Sequence, residues 1–136
     1  MDHLADITIQ QSAAVLTFAK TFEGAPYQSG AGQNSNPTSG FDCSGFIWYV
    51  LTQQGFNYPY TPTSAMANSQ SLRQLNIPPE VINAGDLILF NGHAGFFDPN
   101  PPIPGKTLYS ATTTGGVHNE DPTYFGPIVG YYRLQV

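Results

Sequence analysis

The sequence predicts an α+β fold in which N-terminal helices pack on a short antiparallel sheet. Apolar residues recur at helical spacing in the first half of the chain, whereas the second half carries short apolar runs of strand length. Between two of these runs stands Asn91-Gly92, the strongest short-range signal for a β-hairpin. Helices followed by strands are typical of α+β proteins. At 136 residues the chain has room for one hydrophobic core, so we predict a single domain over residues 1–136.

The first half of the chain is predicted to hold three helices. The first covers Ile7 to Phe22, because four apolar residues share one helical face: Val15, Phe18, Ala19 and Phe22. A polar, glycine-rich loop from Gln28 to Gly40 follows, and a second helix begins at Cys43. A third, short helix is predicted to start at Thr63 or Ser64, whose hydroxyl would cap it.

The second half is predicted to form strands. Leu87 to Phe90 is apolar throughout, as expected of a buried strand, and the hairpin turn leads into His93 to Phe97. The segment from Asp98 to Pro104 is rich in proline and is predicted to be an irregular loop. Two further strands are predicted over Thr107 to Thr112 and Val129 to Val136.

Composition excludes several classes of partner. Four Lys and Arg against nine Asp and Glu give a net charge of −5, which predicts no binding to nucleic acid or to anionic lipid. No stretch is long and apolar enough for membrane insertion. One cysteine and three scattered histidines lack the spacing of metal ligands, so we expect no metal and no cofactor. The acidic segment Met1 to Asp6 is unlike a classical signal peptide.

The only cysteine, Cys43, lies at the predicted start of the second helix, with polar neighbours on both sides. A lone thiol cannot form an intrachain disulfide, and the N–H groups and dipole of a helix start favour the thiolate. Fifty residues later, His93 begins a predicted strand. One Cys and one His are the minimal parts of a cysteine hydrolase or acyltransferase. The competing interpretation is a buried cysteine that only packs as a small hydrophobe.

Several segments occur in the order found in the NlpC-type cell-wall peptidases, bacterial relatives of the papain-like cysteine peptidases. They are Gly24-Ala25-Pro26-Tyr27, Asp42-Cys43-Ser44-Gly45-Phe46, Thr63-Ser64-Ala65, Ala84-Gly85-Asp86-Leu87 and Gly92-His93-Ala94-Gly95-Phe96. The chain resembles this family over about residues 10 to 135. The resemblance implies a papain-like α+β fold and hydrolysis of peptide bonds in peptidoglycan stem peptides, typically between γ-D-glutamyl and a diaminopimelyl or lysyl residue.

The resemblance also implies a role for individual residues. Cys43 is the nucleophile, His93 is the general base, and the Tyr27 hydroxyl helps to hold the oxyanion. The residues implied to line the substrate cleft are Asp42, Ser44 and Gly92. Members of the family often carry Pro-Arg-Thr-Ser before the third helix, whereas this chain has Thr61-Pro62-Thr63-Ser64 and therefore lacks an arginine that could pair with a substrate carboxylate.

A third catalytic residue, commonly histidine, lies on the next strand in the family and orients the base. Here Ser110 falls at that position, and His118 is the alternative. We favour Ser110, because Leu108, Ser110 and Thr112 alternate onto one strand face. His118 follows two glycines and is interpreted as a solvated loop residue.

Three functions remain open at this point. The leading hypothesis is a cysteine endopeptidase of peptidoglycan; the others are an amidase or acyltransferase with the same Cys–His pair, and a non-catalytic cell-wall-binding domain. A reactive enzyme is expected to hold the Cys43 pKa well below about 8.5. The N-terminus suggests an antibacterial effector or phage lysin, exported by a non-classical route to the periplasm or cell wall, with an immunity protein that covers the Cys43 cleft.

Overall fold

The computed structural model describes residues 5–136 and confirms helices packed on an antiparallel sheet. Most of the acidic N-terminus discussed above lies outside these residues. The helices are α1 (Ile9–Ala19), α2 (Cys43–Gln53) and α3 (Thr63–Met66). No helix in the described part of the chain is long and apolar enough to cross a membrane.

Two predictions about the helices are wrong: the bounds of the first helix and the cap of the third. The first helix begins at Ile9 rather than Ile7, because the Thr8 hydroxyl accepts from the Gln11 N–H while the Gln11 side chain accepts from the Thr8 N–H. It ends at Ala19 and continues only as a 3₁₀ turn over Lys20–Phe22. The third helix has Pro62 at its N-cap and no side-chain cap, so neither Thr63 nor Ser64 caps it.

The sheet has six antiparallel strands in the order β1-β6-β2-β3-β4-β5. They are β1 (Leu72–Gln74), β2 (Leu87–Phe90), β3 (His93–Phe97), β4 (Leu108–Thr112), β5 (Gly116–Glu120) and β6 (Ile128–Leu134). The four predicted strands are present, and β1 and β5 are additional. His118 lies within β5, so its assignment to a loop is wrong; it pairs directly with Ser110 of β4.

The two faces of the sheet are covered unequally. The large core lies between the sheet and the helices, and includes Phe46, Ile47 and Val50 of α2. The opposite face holds a smaller apolar cluster, which we call the outer cluster: Ile88, Phe90 and Leu108, with Phe97, Phe125 and Tyr131 packed against them. The site is built where α2 begins over the first residues of β3.

The first and last described segments lie side by side. The Ile7 N–H donates to the Leu134 carbonyl and the Val136 N–H donates to the Ala5 carbonyl, each at 2.8 Å. Asp6 and Gln135 form an antiparallel bridge between these bonds. Their side chains also meet, since the Gln135 amide nitrogen donates to the Asp6 carboxylate at 2.7 Å.

Candidate active site

Asp42 fixes the start of α2 and with it the position of Cys43. One carboxylate oxygen accepts from the Gly45 N–H at 2.7 Å, which is the usual N-cap bond. The other accepts from the Gly32 N–H at 2.9 Å and ties the preceding loop to the helix. Both oxygens are therefore occupied within the fold. The structure thus makes this predicted cleft residue the N-cap of the helix that begins at Cys43.

Cys43 is buried at the first position of α2. Its sulfur lies near the backbone N–H groups of Ser44, of Cys43 itself and of Ala94, which directly follows His93. Burial nevertheless raises the pKa of the thiol, and the neighbouring Asp42 charge raises it further. The expected low pKa is therefore wrong for the free site, because desolvation outweighs the backbone donors at the helix start. Cys43 rests as a thiol.

His93 begins β3, and its Nε2 lies 3.0 Å from the Ser110 hydroxyl oxygen. Ser110 is fully buried in the middle of β4, so its hydroxyl has a fixed direction. Burial lowers the pKa of His93 to about 4, which keeps the ring neutral at ordinary pH. No hydrogen bond joins the ring to the Cys43 sulfur within residues 5–136. Such bonds are often long in free enzymes and shorten when substrate binds.

His118 does not reach the His93 ring through a hydrogen bond of its own. Its Nδ1 lies 3.1 Å from the Gly116 carbonyl oxygen, and its Nε2 lies 3.3 Å from the Glu120 carboxylate. The side chain is 24% exposed, so it is largely packed rather than solvated. Of the two candidates for the third catalytic residue, the structure brings Ser110 to His93.

Tyr27 lies beside Cys43 in a segment that is hydrogen-bonded to the residues before α2. Tyr27 forms a parallel bridge with Phe41, flanked by the bonds Gln28 N–H to Phe41 carbonyl and Phe41 N–H to Pro26 carbonyl, both 3.0 Å. Burial raises the pKa of Tyr27, and the nearby charges of Cys43 and Asp42 add to the effect. The hydroxyl thus remains a proton donor next to the sulfur.

Of the other two predicted cleft residues, Ser44 is hydrogen-bonded within the fold and Gly92 lines a cavity. The Ser44 hydroxyl lies 2.9 Å from the Tyr60 hydroxyl, so this predicted cleft residue has a partner within the fold. Gly92 is the turn residue of the β2–β3 hairpin, with φ +83°, and it lines a cavity of about 260 Å³. The other residues lining this cavity are Thr63, Ser64, Ala67, Leu89, Phe90, Asn91 and Val129.

The sequence did not identify two aromatic residues of the site. Tyr60 bonds to Ser44, and its ring packs edge-on against Trp48. Phe125 stacks on His93, with 4.0 Å between the ring centroids. Neither residue belongs to a segment that carries the family resemblance, so only the folded structure shows that the two rings lie at the site. Both rings lie in connections between regular elements, where apolar periodicity gives no signal.

The assembled groups suit acyl transfer. A buried thiol, a neutral imidazole with a fixed partner, and two hydrogen-bond donors beside the sulfur supply a nucleophile, a base and stabilisation for an oxyanion. Within residues 5–136 there is no group of three or more His, Cys, Asp or Glu residues that could hold a metal ion.

Comparison with known proteins agrees with this geometry. Residues 24–121 match the model of the NlpC/P60 family. The chain is 36% identical over 78 residues to the bifunctional muramidase/DL-endopeptidase CwlT of Bacillus subtilis, a match that spans 57% of this chain and 21% of CwlT. It is 32% identical over 124 residues to the probable endopeptidase p60 of Listeria grayi, spanning 90% of this chain and 22% of p60.

Solved structures show the same fold. An NLP/P60-family lipoprotein from Staphylococcus aureus superposes with a TM-score of 0.68 at 22% identity, covering 97% of this chain and 44% of that one. The NlpC/p60 domain of the peptidoglycan hydrolase SagA superposes with a TM-score of 0.60 at 22% identity, covering 92% of this chain and 98% of that domain. The chain spans about a fifth of the length of the curated relatives that it matches.

Proposed function

The chain belongs to the NlpC/P60 family, and on that premise we propose that it is a cysteine endopeptidase that hydrolyses peptide bonds in peptidoglycan stem peptides. One observation supports this most: the Cys43 sulfur, at the start of α2, lies near the Ala94 N–H, and Ala94 directly follows a histidine whose Nε2 is bonded to Ser110. The names of two relatives, a DL-endopeptidase and a peptidoglycan hydrolase, agree with the substrate class.

His93 acts first as the base. With Nε2–H donating to Ser110, Nδ1 is left to take the Cys43 proton, and both groups start uncharged. The sulfur then attacks the carbonyl carbon of the scissile amide, and the π electrons move onto the oxygen. When the tetrahedral species collapses, the C–N bond breaks and protonated His93 gives its proton to the leaving amine.

Water completes the cycle. It attacks the thioester carbonyl while His93 takes one of its protons, and the C–S bond breaks to release a carboxylic acid and regenerate the thiol. In both halves the oxygen becomes an oxyanion. The Cys43 N–H at the helix start and the Tyr27 hydroxyl are the donors that we assign to it.

We further propose γ-D-glutamyl–diaminopimelate as the bond that is cleaved. The cavity beside Gly92 supports an extended peptide, since it lies at the turn that directly precedes His93 and is lined by uncharged residues alone. The position at which relatives often carry an arginine is Pro62, so a substrate carboxylate finds no guanidinium there. Affinity for the stem peptide then depends on hydroxyl and amide groups such as those of Ser64 and Asn91.

Mass spectrometry of purified muropeptides after incubation with the protein tests the function. The endopeptidase proposal requires fragments that end in free D-glutamate with a new amino terminus on the third residue. Fragments from another amide would favour the amidase, and transfer to an added amine would favour the acyltransferase. If wild type and Cys43→Ala give the same spectrum, the site is not catalytic. Iodoacetamide should stop the reaction by alkylating Cys43, whereas EDTA should leave the rate unchanged.

The antibacterial effector role and the immunity protein remain predictions. Directing the protein to the periplasm of a Gram-negative host tests the first, because wild type should lyse the cells and Cys43→Ala should not. Equal growth of both strains, with both proteins present in the periplasm, would contradict it. An immunity protein should then bind tightly enough to protect Cys43 from alkylation.

A further inference from the structure

An aromatic ring covers one face of the His93 imidazole. Phe125 lies parallel to it, with 4.0 Å between ring centroids and an interplanar angle of 8°. Phe90 packs against both rings, 6.1 Å from His93 and 5.6 Å from Phe125. At its edge the imidazole is bonded to buried Ser110. Among residues 5–136, the ring therefore has an apolar cover on one face and Ser110 as its one hydrogen-bond partner, and it is partly buried.

The segment that carries Phe125 is shaped by its own local interactions. It is a 3₁₀ helix, Pro122–Phe125, in which proline supplies the fixed φ of the first turn. The Asp121 carboxylate caps it by accepting from the N–H and the hydroxyl of Thr123, at 2.9 and 2.7 Å. Gly126 ends it with φ +85°, a conformation that favours glycine. This capped turn places the Phe125 ring against the His93 ring.

The stack also belongs to the outer cluster of the sheet. Phe90 pairs with His93 across β2 and β3, and cross-strand partners share a face. Phe125 packs on this face and completes the cover over the imidazole. Removing its ring would open the histidine to solvent while leaving the large core on the other face of the sheet intact.

We propose that Phe125 is a positioning residue for the general base: its ring holds the imidazole in place against Ser110 and excludes water that would stabilise the protonated ring. This inference rests on the proposed function, since it assigns a partner to His93 in that reaction. Phe125 forms no bond with the substrate and exchanges no proton. Its effect is on the orientation and the protonation of the base.

The charges around His93 support burial as the dominant influence. Burial is the cause of the lowered pKa, to about 4. The titratable groups on the elements around the ring are Cys43 and Tyr49 on α2, Tyr109 on β4, His118 and Glu120 on β5, Asp121 and Tyr124 on the turn, and Tyr131, Tyr132 and Arg133 on β6, and none of them contributes to the shift. With a pKa of about 4, His93 is neutral above about pH 5. Exposing the ring to water should raise its pKa toward the ordinary value of 6.5.

An NMR titration of the histidine rings in the folded protein tests the proposal without any substrate. The chain has three histidines, and His118→Ala together with His93→Ala assigns the His93 signal. In Phe125→Ala the His93 pKa should rise from about 4 by at least one pH unit. Ile103→Ala is the control, because Ile103 is an apolar residue that is 54% exposed and lies in the loop between β3 and β4. The control should titrate like wild type.

Phe125→Leu keeps the test decisive if the alanine variant fails to fold. Leucine retains apolar volume but lacks a flat face, so the His93 pKa should rise by a smaller amount than in Phe125→Ala. A folded Phe125 variant in which His93 titrates as in wild type would overturn the proposal. So would a wild-type His93 that titrates at its ordinary value.

Kinetics separates this inference from the proposed function. Full exposure of His93, from a pKa of about 4 to 6.5, lowers the neutral fraction at pH 5 by about 30-fold and leaves pH 8 almost unaffected. Phe125→Ala should therefore lose much more kcat at pH 5 than at pH 8, and equal losses would contradict the proposal. If wild type cuts no muropeptide, the proposed function fails, while the NMR result still decides whether Phe125 controls His93.

Discussion

The proposed nucleophile, Cys43, and the proposed base, His93, lie on neighbouring elements and are held by different means. Cys43 begins a helix packed into the large core, and Asp42 fixes that helix start through bonds to two backbone N–H groups. His93 lies on the thinly covered face, held by one hydroxyl and by the ring of Phe125. The proposed nucleophile is therefore positioned by the helix and its cap, whereas the proposed base depends on a few side chains. Changes near Cys43 should destabilise the protein, and changes near His93 should alter its chemistry.

The largest effect is expected from Cys43→Ala, which should abolish hydrolysis and leave the fold intact. The substitution removes the proposed nucleophile, which is a single buried sulfur atom. His93→Ala should be almost as damaging, and the double variant no worse than either, since the two residues act as a unit. Muropeptide turnover and thermal unfolding measure both properties. Retention of more than a few per cent of the wild-type rate in Cys43→Ala would rule out covalent catalysis.

On the nucleophile side, Gly45→Ala should cost about 3 kcal/mol or more in the free energy of unfolding. A Cβ atom at this position would lie 1.9 Å from the Ser35 hydroxyl and 2.6 Å from the Gly32 carbonyl oxygen, so the loop has to move away from α2. Gln53→Ala, an exposed change in the same helix, should alter stability by less than about 0.5 kcal/mol. Urea unfolding compares the stability of the two variants. Similar midpoints would show that the loop can move away from α2 at little cost in stability.

On the base side, Ser110→Ala should lower kcat by about 10- to 100-fold, which corresponds to about 1.4–2.7 kcal/mol of transition-state stabilisation. It removes the 3.0 Å bond to His93 Nε2. His118→Ala should do little, because its ring contacts Gly116 and Glu120 instead. Both variants are assayed on one muropeptide. A larger loss in His118→Ala would reverse the assignment, and no loss in either would mean that backbone or water holds the imidazole.

The smallest effect is expected from Ser35→Ala. Among the described residues, the buried Ser35 hydroxyl has no hydrogen-bond partner, so its removal should change the free energy of unfolding by less than about 0.5 kcal/mol or stabilise the protein slightly. Activity should be unchanged. Differential scanning calorimetry beside the turnover assay checks both. A loss above 1 kcal/mol would show that this hydroxyl has a partner in solution, such as water.

Much of the fold follows from local sequence signals. The strand Leu87–Phe90 and the Asn-Gly hairpin need no tertiary information, because an apolar run and a turn pair specify them. β1 and β5 could not be predicted in this way. β1 has only three residues, and β5 mixes glycine, histidine, asparagine and glutamate, so pairing with a neighbouring strand decides both.

The candidate site also combines residues that the sequence marks with properties that only the folded structure shows. Cys43 and His93 are marked by their positions at element starts and by the resemblance to a family. The sequence does not mark the direction in which the Cys43 pKa shifts. Burial raises this pKa against the effect of the helix start, and burial is a property of the packed structure. Likewise, the sequence does not show that Phe125 contacts His93, because this contact forms only when the turn packs over β3.

The pairing of residues 5–7 with residues 134–136 has a consequence for protein architecture. Polypeptide joined at either of these segments would leave from the same side of the domain, next to β6, whereas His93 lies on β3 and β2 separates the two strands. A unit with adjacent attachment points can be inserted between other modules, or circularly permuted, without disturbing its own packing. That geometry suits a catalytic module whose relatives are about five times longer than this chain.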